Sequence, residues 1–355
     1  MRNASCDFDH PRDRVLHIVD PLDEDVSIAL NEYLTAMGHM EHWLLVGWES
    51  CKPLRLSPGA QPAGIASLPT GHRARVRAIT EAYFAVKPTW VHAHSFNAGA
   101  YVRLAPRIPT ECIVYSPHCY TFERRDLTRA SRILNVTCEY LLAPRTGTVA
   151  VCNVREGHLA ARLHRTGRIV HVPNVPYGNA LGLSQGSSPP AKAPIAVAMG
   201  PLGPQRDPAF FQAAVAAAKT DTTWMWIGEG EPRYRRLLEK VGVCVTGQLP
   251  RRNVLRLLQK ADVYVHTAAW EGSCDTLLQA TQVGLPIAAR SIPTLQALRL
   301  PGLAPHPEDL AATVQRLLKS PADRHVHSES ARRAFHSHTR DTQAARLREL
   351  YQYNR

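Results

Sequence analysis

The segment ADVYVHTAAWEGSCDTLLQATQVGLP, residues 261–286, contains a complete unit of an α/β fold. It begins with a short apolar run, passes through a loop with one glutamate and several small residues, and continues as a helical pattern that Gly284 and Pro286 end. This order places the loop at the carboxyl end of a strand, where α/β proteins bind ligands. Residues 271–276 are therefore the first candidates for a functional site.

Apolar runs of the same kind alternate with helical patterns along the chain. Their near-continuous apolarity indicates strands that are covered on both faces, as in parallel sheets. The predicted strands are 15–20, 42–47, 89–95, 112–116, 148–152, 169–173, 195–200, 223–228, 243–247, 262–266 and 285–289. The predicted helices are 26–37, 74–86, 209–219, 231–241, 253–261, 309–320 and 341–355. The alternation predicts an α/β protein with doubly wound sheets.

The alternation breaks once, in a stretch without periodicity. Residues 178–194, GNALGLSQGSSPPAKAP, are rich in Gly, Ser, Pro and Ala, which is typical of a linker. We therefore predict a Rossmann-like domain over 1–178, a linker over 179–194 and a second Rossmann-like domain over 195–339, with the helix 340–355 packed back onto the first domain. Two such domains facing each other leave a cleft for an active site.

Composition limits the class of protein and of partner. The chain has 355 residues, 45% of them hydrophobic and 20% charged, which is typical of a globular protein of about two domains. Its net charge of +12 favours anionic partners such as nucleotides or phospholipid surfaces, and the lack of a recognisable module disfavours nucleic acid. No run approaches the roughly 20 apolar residues of a membrane span, and the eight cysteines form no C-x-x-C pair. We expect a cytoplasmic protein without a disulfide framework.

Several segments together resemble family 4 glycosyltransferases of the GT-B fold. The strongest likeness is residues 241–290, VGVCVTGQLPRRNVLRLLQKADVYVHTAAWEGSCDTLLQATQVGLPIAAR, which are similar to the donor-site signature of that family. Further similar segments, in the family's order, are TWVHAHSFNAG (89–99), VYSPHCYTF (114–122), AMGPLGPQRDPAFFQAA (198–214) and IGEGEPRYRRLLEKV (227–241). The resemblance implies two Rossmann-like domains across a cleft and transfer of a sugar from a nucleotide-sugar to a hydroxyl acceptor. It also implies retention of configuration, with neither a metal nor another cofactor.

The resemblance assigns roles to individual residues. Glu271 would contact the transferred sugar, His118 would lie beside that sugar, and Arg206 would face the diphosphate. The catalytic residues implied are His118 and Glu271. The donor-binding residues implied are Arg206, Gly228, Gln248, Leu249, Gly272, Ser273, Cys274, Asp275, Thr276 and Gln279. The residues themselves also allow a purely structural interpretation, in which Ser273 or Asp275 only caps the following helix and Glu271 is a surface acid.

Three positions depart from the family pattern. Gln279 replaces an acid that holds the donor's ribose, and Pro201 replaces an arginine that faces the diphosphate. Acids at positions 23–25 replace a glycine-rich turn, where Asp23 or Asp25 is expected to cap a helix, although a cationic acceptor is an alternative. These departures leave open a protein with an unusual donor, or a degenerate GT-B protein that acts as a scaffold or partner of another glycosyltransferase.

The basic residues of the first half are a further candidate for binding. They cluster at 72–77, Arg103, Arg107 and 123–132, and such a face would suit a lipid-linked acceptor and peripheral contact with the inner face of a membrane. Ordinary solvated helix faces are the alternative. His92 and His94 lie on one predicted strand, and we expect them to face opposite sides of it and not to share a metal.

Overall fold

The computed structural model describes residues 13–47, 56–164, 167–176, 193–219 and 221–352. Of the predicted linker, only 193 and 194 are among them. The strands are β1 Arg14–Val19, β2 Glu41–Val46, β3 Gly64–Ser67, β4 Trp90–His94, β5 Ile113–Ser116, β6 Thr148–Val151, β7 Arg168–His171, β8 Ile195–Met199, β9 Thr223–Ile227, β10 Cys244–Val245, β11 Val263–His266 and β12 Ile287–Ala289. The helices are α1 Glu24–Ala36, α2 His72–Val86, α3 Ser95–Leu104, α4 Arg129–Leu142, α5 Val154–Leu163, α6 Pro208–Ala217, α7 Pro232–Glu239, α8 Arg251–Lys260, α9 Asp275–Gln282, α10 Pro293–Ala297, α11 Pro307–Lys319, α12 Pro321–Ala334 and α13 Arg340–Gln352.

The strands form two parallel sheets, as the sequence predicts. The first has the order β3-β2-β1-β4-β5-β6-β7 and the second the order β10-β9-β8-β11-β12. In each sheet the strand order reverses beside the first strand, between β1 and β4 and between β8 and β11. Ligands of doubly wound sheets bind at such switch points, beyond the carboxyl ends of the strands. The prediction of an α/β protein with two Rossmann-like sheets is confirmed.

Each predicted apolar run contains a strand, but the sequence missed β3 and several helices. β3 is a short edge strand with a glycine and mostly exposed side chains, so it lacks the apolar run that marks the others. The missed helices are α3, α4, α5, α10 and α12. On α4 the apolar residues face solvent, so the core-facing pattern that identifies a surface helix is absent there.

The last helix of the chain returns to the first sheet. Nε1 of Trp90 donates to the carbonyl oxygen of Tyr351 at 2.9 Å, and the Tyr351 hydroxyl lies 2.6 Å from Nδ1 of His92. Leu347 and Leu350 are fully buried in the cluster that also contains Val15 of β1. Helix α13 therefore helps to cover the first sheet on the face that α1 also covers.

The expectation that His92 and His94 face opposite sides of their strand is wrong. Side chains alternate along a strand, so residues two apart lie on the same face. The two imidazole rings stack with their centroids 4.1 Å apart, and both are fully buried. Both point into the core between the first sheet and helices α1 and α13.

Candidate active site

Loops from both sheets meet at the carboxyl edges of the strands. Nδ2 of Asn153, after β6, donates to the carbonyl oxygen of Gly272 at 2.8 Å. Oγ of Ser273 lies 3.3 Å from Oδ2 of Asp25, at the start of α1. A side chain on Gly272 would meet the His118 carbonyl oxygen at 2.5 Å, so only glycine permits this approach. The loop that follows β11 therefore forms one wall of a cleft whose other wall is the first domain.

Glu271 forms a buried ion pair with Arg206. Oε2 of Glu271 accepts from Nη1 of Arg206, and the two residues are 2% and 5% exposed. Nε2 of His266, at the end of β11, lies 3.3 Å from the same oxygen. The Thr294 hydroxyl donates to the Glu271 carbonyl oxygen at 2.8 Å and fixes the backbone of the loop. The sequence-predicted sugar ligand and phosphate ligand thus lie together.

Two further carboxyl groups face this pair. Burial, reinforced by the charge of Asp25, raises the pKa of Asp275 well above its usual value. Burial also raises the pKa of Asp25, where Arg206 opposes the shift and Glu271 adds to it. Burial alone would lower the pKa of Arg206, but Glu271 and Asp25 more than offset it, so this guanidinium stays charged. The site therefore gathers three carboxyl groups around one buried cation.

Two glycines allow Arg206 its position. Gly200 ends β8 with φ of +131°, and a side chain there would meet Nε of Arg206 at 2.8 Å. Gly228 ends β9 with φ of +145°, and a side chain there would lie 2.2 Å from the Gly200 carbonyl oxygen. That carbonyl also accepts from Nε1 of Trp226 at 2.9 Å. The role of Gly228 that the structure shows is close packing of two strand-end loops.

The N-terminus of α9 is not capped by the side chains that the sequence suggested. The N-cap position is Cys274, in the left-handed region with φ of +57°, and no side chain accepts a cap hydrogen bond there. Ser273 instead reaches Asp25, and Asp275 is the first residue of the helix and does not act as its cap. The expectation that Ser273 or Asp275 caps α9 is therefore wrong, whereas Asp23 does cap α1 by accepting from the Val26 amide at 2.8 Å.

His118 follows β5 and also lies in the cleft. It has φ of +52°, and the next residue, Cys119, is left-handed as well at φ of +104°. The Glu156 carboxylate stabilises this turn, because it accepts from the amides of Cys119 and Cys152. Nε2 of His118 lies 3.0 Å from Nδ1 of His94, and burial lowers the pKa of His118 to about 4. A residue other than glycine that adopts the left-handed backbone conformation costs free energy, and such strain is often found at functional sites.

The remaining sequence-predicted donor residues lie outside this buried centre. Gln279 is half-buried on α9, and Gln248 lies exposed after β10. Neither side chain forms a hydrogen bond within the described residues. Leu249 packs partly against the core of the second domain. Pro201 is exposed, so it leaves the place of the family's arginine without a cation.

Buried polar atoms without partners concentrate at this centre. Burying a polar group without a hydrogen bond is costly, and a group left in this state often awaits a ligand or water. Among the described residues these atoms include Nε of Arg206, a donor, and Oε1 of Glu271, an acceptor. The set contains both donors and acceptors, which suits a ligand with hydroxyl and phosphate groups.

Sequence reasoning missed several of the residues that build the site. Asn153 lies two residues after the end of β6, so the rule that ligands bind at strand ends points to it as well. Glu156 is one helical turn further on, and nothing local marks it as the carboxylate that supports His118. His266 was treated only as the end of a strand.

Arg103 does not belong to a basic face: it is 2% exposed, pairs with Glu139 at 2.8 Å and stacks over the Tyr115 ring. Within the described ranges, His17, His92 and His94 are the one group of His, Cys, Asp or Glu side chains close enough together to hold a metal. They lie in the first-domain core and not at the cleft centre, so the expected absence of a metal there stays a prediction.

Comparisons with known proteins agree with this architecture. Residues 193–320 match the family model of the glycosyl transferases group 1. A GDP-mannose-dependent alpha-mannosyltransferase of Mycolicibacterium smegmatis is 29% identical over 160 residues, which are 45% of this chain and 41% of that protein. The match thus spans about two fifths of the relative's length.

Solved structures match nearly the whole chain. Sucrose-phosphate synthase of Thermosynechococcus elongatus superposes with a TM-score of 0.75 at 16% identity, covering 96% of this chain and 98% of that one. Anabaena HepE in complex with UDP and glucose gives 0.74 at 14% identity, covering 95% and 99%. At this identity the likeness shows the fold. Residues 193–320 are therefore similar to the group 1 glycosyl transferases, and the chain has the GT-B fold of the glycosyltransferase structures that it matches.

Proposed function

We propose that the protein is a retaining glycosyltransferase that moves a sugar from a nucleotide-diphosphate sugar to a hydroxyl acceptor. The observation that carries the proposal is the group of buried, unpartnered donors and acceptors around Arg206 and Glu271, at the switch point of a group 1 glycosyl transferase domain. Glu271 accepts from hydroxyls of the transferred sugar, and Arg206 stabilises the charge that develops on the departing diphosphate.

The first experiment identifies the donor. Nucleoside diphosphates and their sugars are tested by thermal shift and calorimetry, beginning with GDP-mannose and UDP-glucose, because the relative depends on GDP-mannose and a structural neighbour holds UDP and glucose. Turnover of the bound donor is then compared between the wild type, Glu271→Gln and Glu239→Ala. Glu239 is an exposed residue of α7 that pairs with Arg235, so its removal serves as the control.

We expect Glu271→Gln to lower turnover by about a hundredfold or more, and Glu239→Ala to leave turnover unchanged. Full turnover by Glu271→Gln would overturn the assigned role. Absence of binding across the whole panel would favour the scaffold alternative. Proton NMR of the product's anomeric signal tests retention, and an inverted configuration would contradict it.

The acceptor side is proposed to take an anionic group. A small cavity of about 90 Å³ lies next to Glu271 and Trp270 and is lined by Arg125, Arg132 and Arg155 of the first domain. Arg155 is held by Glu123 at 2.8 Å, and Nε of Arg132 donates to a backbone carbonyl, so both guanidinium groups are positioned. Arginine presents a planar set of donors that fits phosphate or carboxylate oxygens. A lipid-linked phosphate fits this chemistry.

The first domain also carries a surface suited to a lipid interface. Helices α2, α3 and α4 pack side by side and expose Phe84, Leu104, Ile133, Leu134, Tyr140 and Leu141. An open apolar groove of about 500 Å³ lies between α2 and α3. Arg129, the first residue of α4, and Arg125, which also lines the small cavity, are exposed, so apolar and cationic groups lie close together here. None of the described helices is long and apolar enough to cross a membrane. We therefore propose a cytoplasmic enzyme that contacts the inner leaflet peripherally.

Vesicle co-sedimentation tests the lipid interface. The double variant Leu134→Asp/Leu141→Asp is expected to lose binding to vesicles that contain anionic lipid, while Val326→Asp, an exposed apolar residue of α12 in the other domain, keeps it. Equal binding by all three proteins would contradict the proposal. Binding by the wild type should also fall as salt concentration rises.

A further inference from the structure

Four imidazoles form a continuous hydrogen-bonded chain from the cleft into the core of the first domain. Nε2 of His118 lies 3.0 Å from Nδ1 of His94, and Nε2 of His94 lies 3.0 Å from Nδ1 of His17. Nε2 of His17 lies 3.0 Å from Nδ1 of His42, and Nε2 of His42 lies 2.9 Å from the Met37 carbonyl oxygen. His17, His94 and His42 are at most 3% exposed.

The far end of this chain fixes the position of every proton in it. A carbonyl oxygen only accepts hydrogen bonds, so Nε2 of His42 must carry its proton. A neutral imidazole has one donor and one acceptor nitrogen, so Nδ1 of His42 accepts from Nε2 of His17. The same reasoning passes along the chain to His94 and His118. Each ring therefore donates through Nε2 and accepts through Nδ1.

The rings are neutral, as this reasoning requires. Burial, with further contributions from neighbouring histidines, lowers the pKa of His17 and of His94 well below its ordinary value. Burial also lowers the pKa of His42 and brings that of His118 to about 4. A charged imidazole in the chain would carry two donors, so every ring on its cleft side would have to donate through Nδ1 and accept through Nε2, the reverse of this order.

At the cleft end, this arrangement of protons leaves one nitrogen of His118 for a ligand. Nδ1 of His118 has no partner within the described residues and is not among their buried unpartnered atoms, so it is accessible. It bears a lone pair because Nε2 carries the proton. We propose that His17, His42 and His94 are positioning residues that hold His118 as the Nε2–H tautomer, so that His118 offers the cleft a hydrogen-bond acceptor for a substrate hydroxyl. The acceptor role toward a substrate rests on the proposed glycosyltransferase function.

A neighbouring histidine provides a matched control. His92 stacks on His94 and is equally buried, but its nitrogens lie 2.6 Å from the Tyr351 hydroxyl and 2.8 Å from the Ser116 hydroxyl. A hydroxyl can donate or accept, so these contacts fix no direction. Replacing His92 removes an imidazole from the same core without interrupting the chain.

Nitrogen NMR of the full-length protein, labelled with ¹⁵N-histidine, tests the chain without any activity assay. We expect protonated Nε2 and unprotonated Nδ1 in His118, with scalar couplings across the three N–H···N hydrogen bonds. A proton on Nδ1 of His118, or absence of these couplings, would overturn the proposal. Stoichiometric Zn²⁺ binding that abolishes the couplings in the protein as isolated would overturn it as well, since the ion would take the facing nitrogens of His17 and His94.

A remote variant tests the direction of the effect. His42→Leu separates the chain from the Met37 carbonyl oxygen that orders it, so the His118 tautomer should become mixed, whereas His92→Leu should leave it unchanged. If turnover is measurable, His42→Leu should lower kcat by about tenfold with little change in the donor KM, because the donor site itself is intact. An unaltered tautomer in a folded His42→Leu protein contradicts the proposal. If that variant does not fold, the couplings in the wild type decide the question alone, whether or not transfer is ever detected.

Discussion

Arg206 and Glu271 neutralise each other at the edge of the second sheet, although the family resemblance assigns them to different parts of the donor. Both are almost fully buried, so the pair has lost most of its hydration. Binding of a donor therefore competes with the ion pair between Arg206 and Glu271. The diphosphate must form hydrogen bonds with Arg206, and the sugar hydroxyls must form hydrogen bonds with Glu271. The free Nε of Arg206 and Oε1 of Glu271 allow both to bind a ligand without separating completely.

The first prediction concerns stability. Removing one partner of a buried pair leaves an uncompensated charge, so Glu271→Ala should lower the free energy of unfolding by about 3–5 kcal/mol. The double variant Arg206→Met/Glu271→Ala should recover part of this loss, because the buried cation is removed together with its partner, whereas Asp25 and Asp275 lose that cation. Urea unfolding of the wild type, Arg206→Met, Glu271→Ala and the double variant measures the cycle. Additive losses would show that the two side chains are not coupled. Because Glu271→Ala is expected to destabilise the fold, activity tests should use the isosteric Glu271→Gln.

The second prediction concerns the nitrogen that His118 presents. The amide oxygen of asparagine can take the place of Nδ1, whereas that of glutamine reaches the place of Nε2. Asparagine also tolerates the left-handed backbone that His118 adopts at φ of +52°. We expect His118→Asn to keep about ten times more transfer activity than His118→Gln. The reverse order, measured on folded variants with one donor, would show that Nε2 and not Nδ1 serves the substrate.

The sequence predicted residues in the loops that follow strands and missed those that act through the core. The family resemblance assigns Glu271, Arg206 and His118, and their place in these loops agrees with the rule that ligands of a parallel α/β sheet bind at strand ends. The sequence does not single out His17 and His42, because a histidine inside an apolar strand ordinarily indicates a hydrogen-bonded core residue. Their contacts depend on the pairing of β1 with β2 and β4, which a single sequence does not reveal.

The cap of α9 illustrates a different limit. Ser273 and Asp275 both have the side chains that caps prefer, and local chemistry alone would choose one of them. The structure places Cys274 at the cap and turns Ser273 toward Asp25 in the other domain. A contact between residues 248 positions apart overrides the local preference. β3 shows the same limit in the fold, since its strand is defined by pairing with β2 and not by its own residues.

The third prediction concerns pH. The pKa of His94 is well below its ordinary value, so the unfolded chain binds a proton near pH 6.5 that the folded protein does not. The folded state is then favoured at neutral pH, and this contribution is lost as pH falls from about 6.5 toward the lowered pKa. Asp25 and Asp275 act in the opposite direction, because their raised pKa values let the folded state bind protons first as pH falls.

Comparison of variants separates these opposing contributions. Urea unfolding at pH 7.5, 6.0 and 5.0 should show a decline in stability with acidification that is shallower in His94→Leu than in the wild type, by about one proton. The carboxyl groups are present in both proteins, so they cancel in the difference. Equal slopes would mean that His94 is protonated in the folded state.

The fourth prediction concerns Gln279, the residue that departs from the family's acid. It lies on α9 one turn after Asp275, half-buried, and its side chain makes no hydrogen bond within the described residues. A hydrogen bond to a carboxylate is stronger than one to a neutral amide by about 1 kcal/mol. If a ribose lies beside it, Gln279→Glu should tighten binding of the matching nucleoside diphosphate by about fivefold. Gln282→Glu, at the end of the same helix, adds the same charge away from the cleft and should leave the affinity unchanged. Calorimetry measures both, and equal gains from the two variants would assign the effect to general charge and remove the ribose from this position.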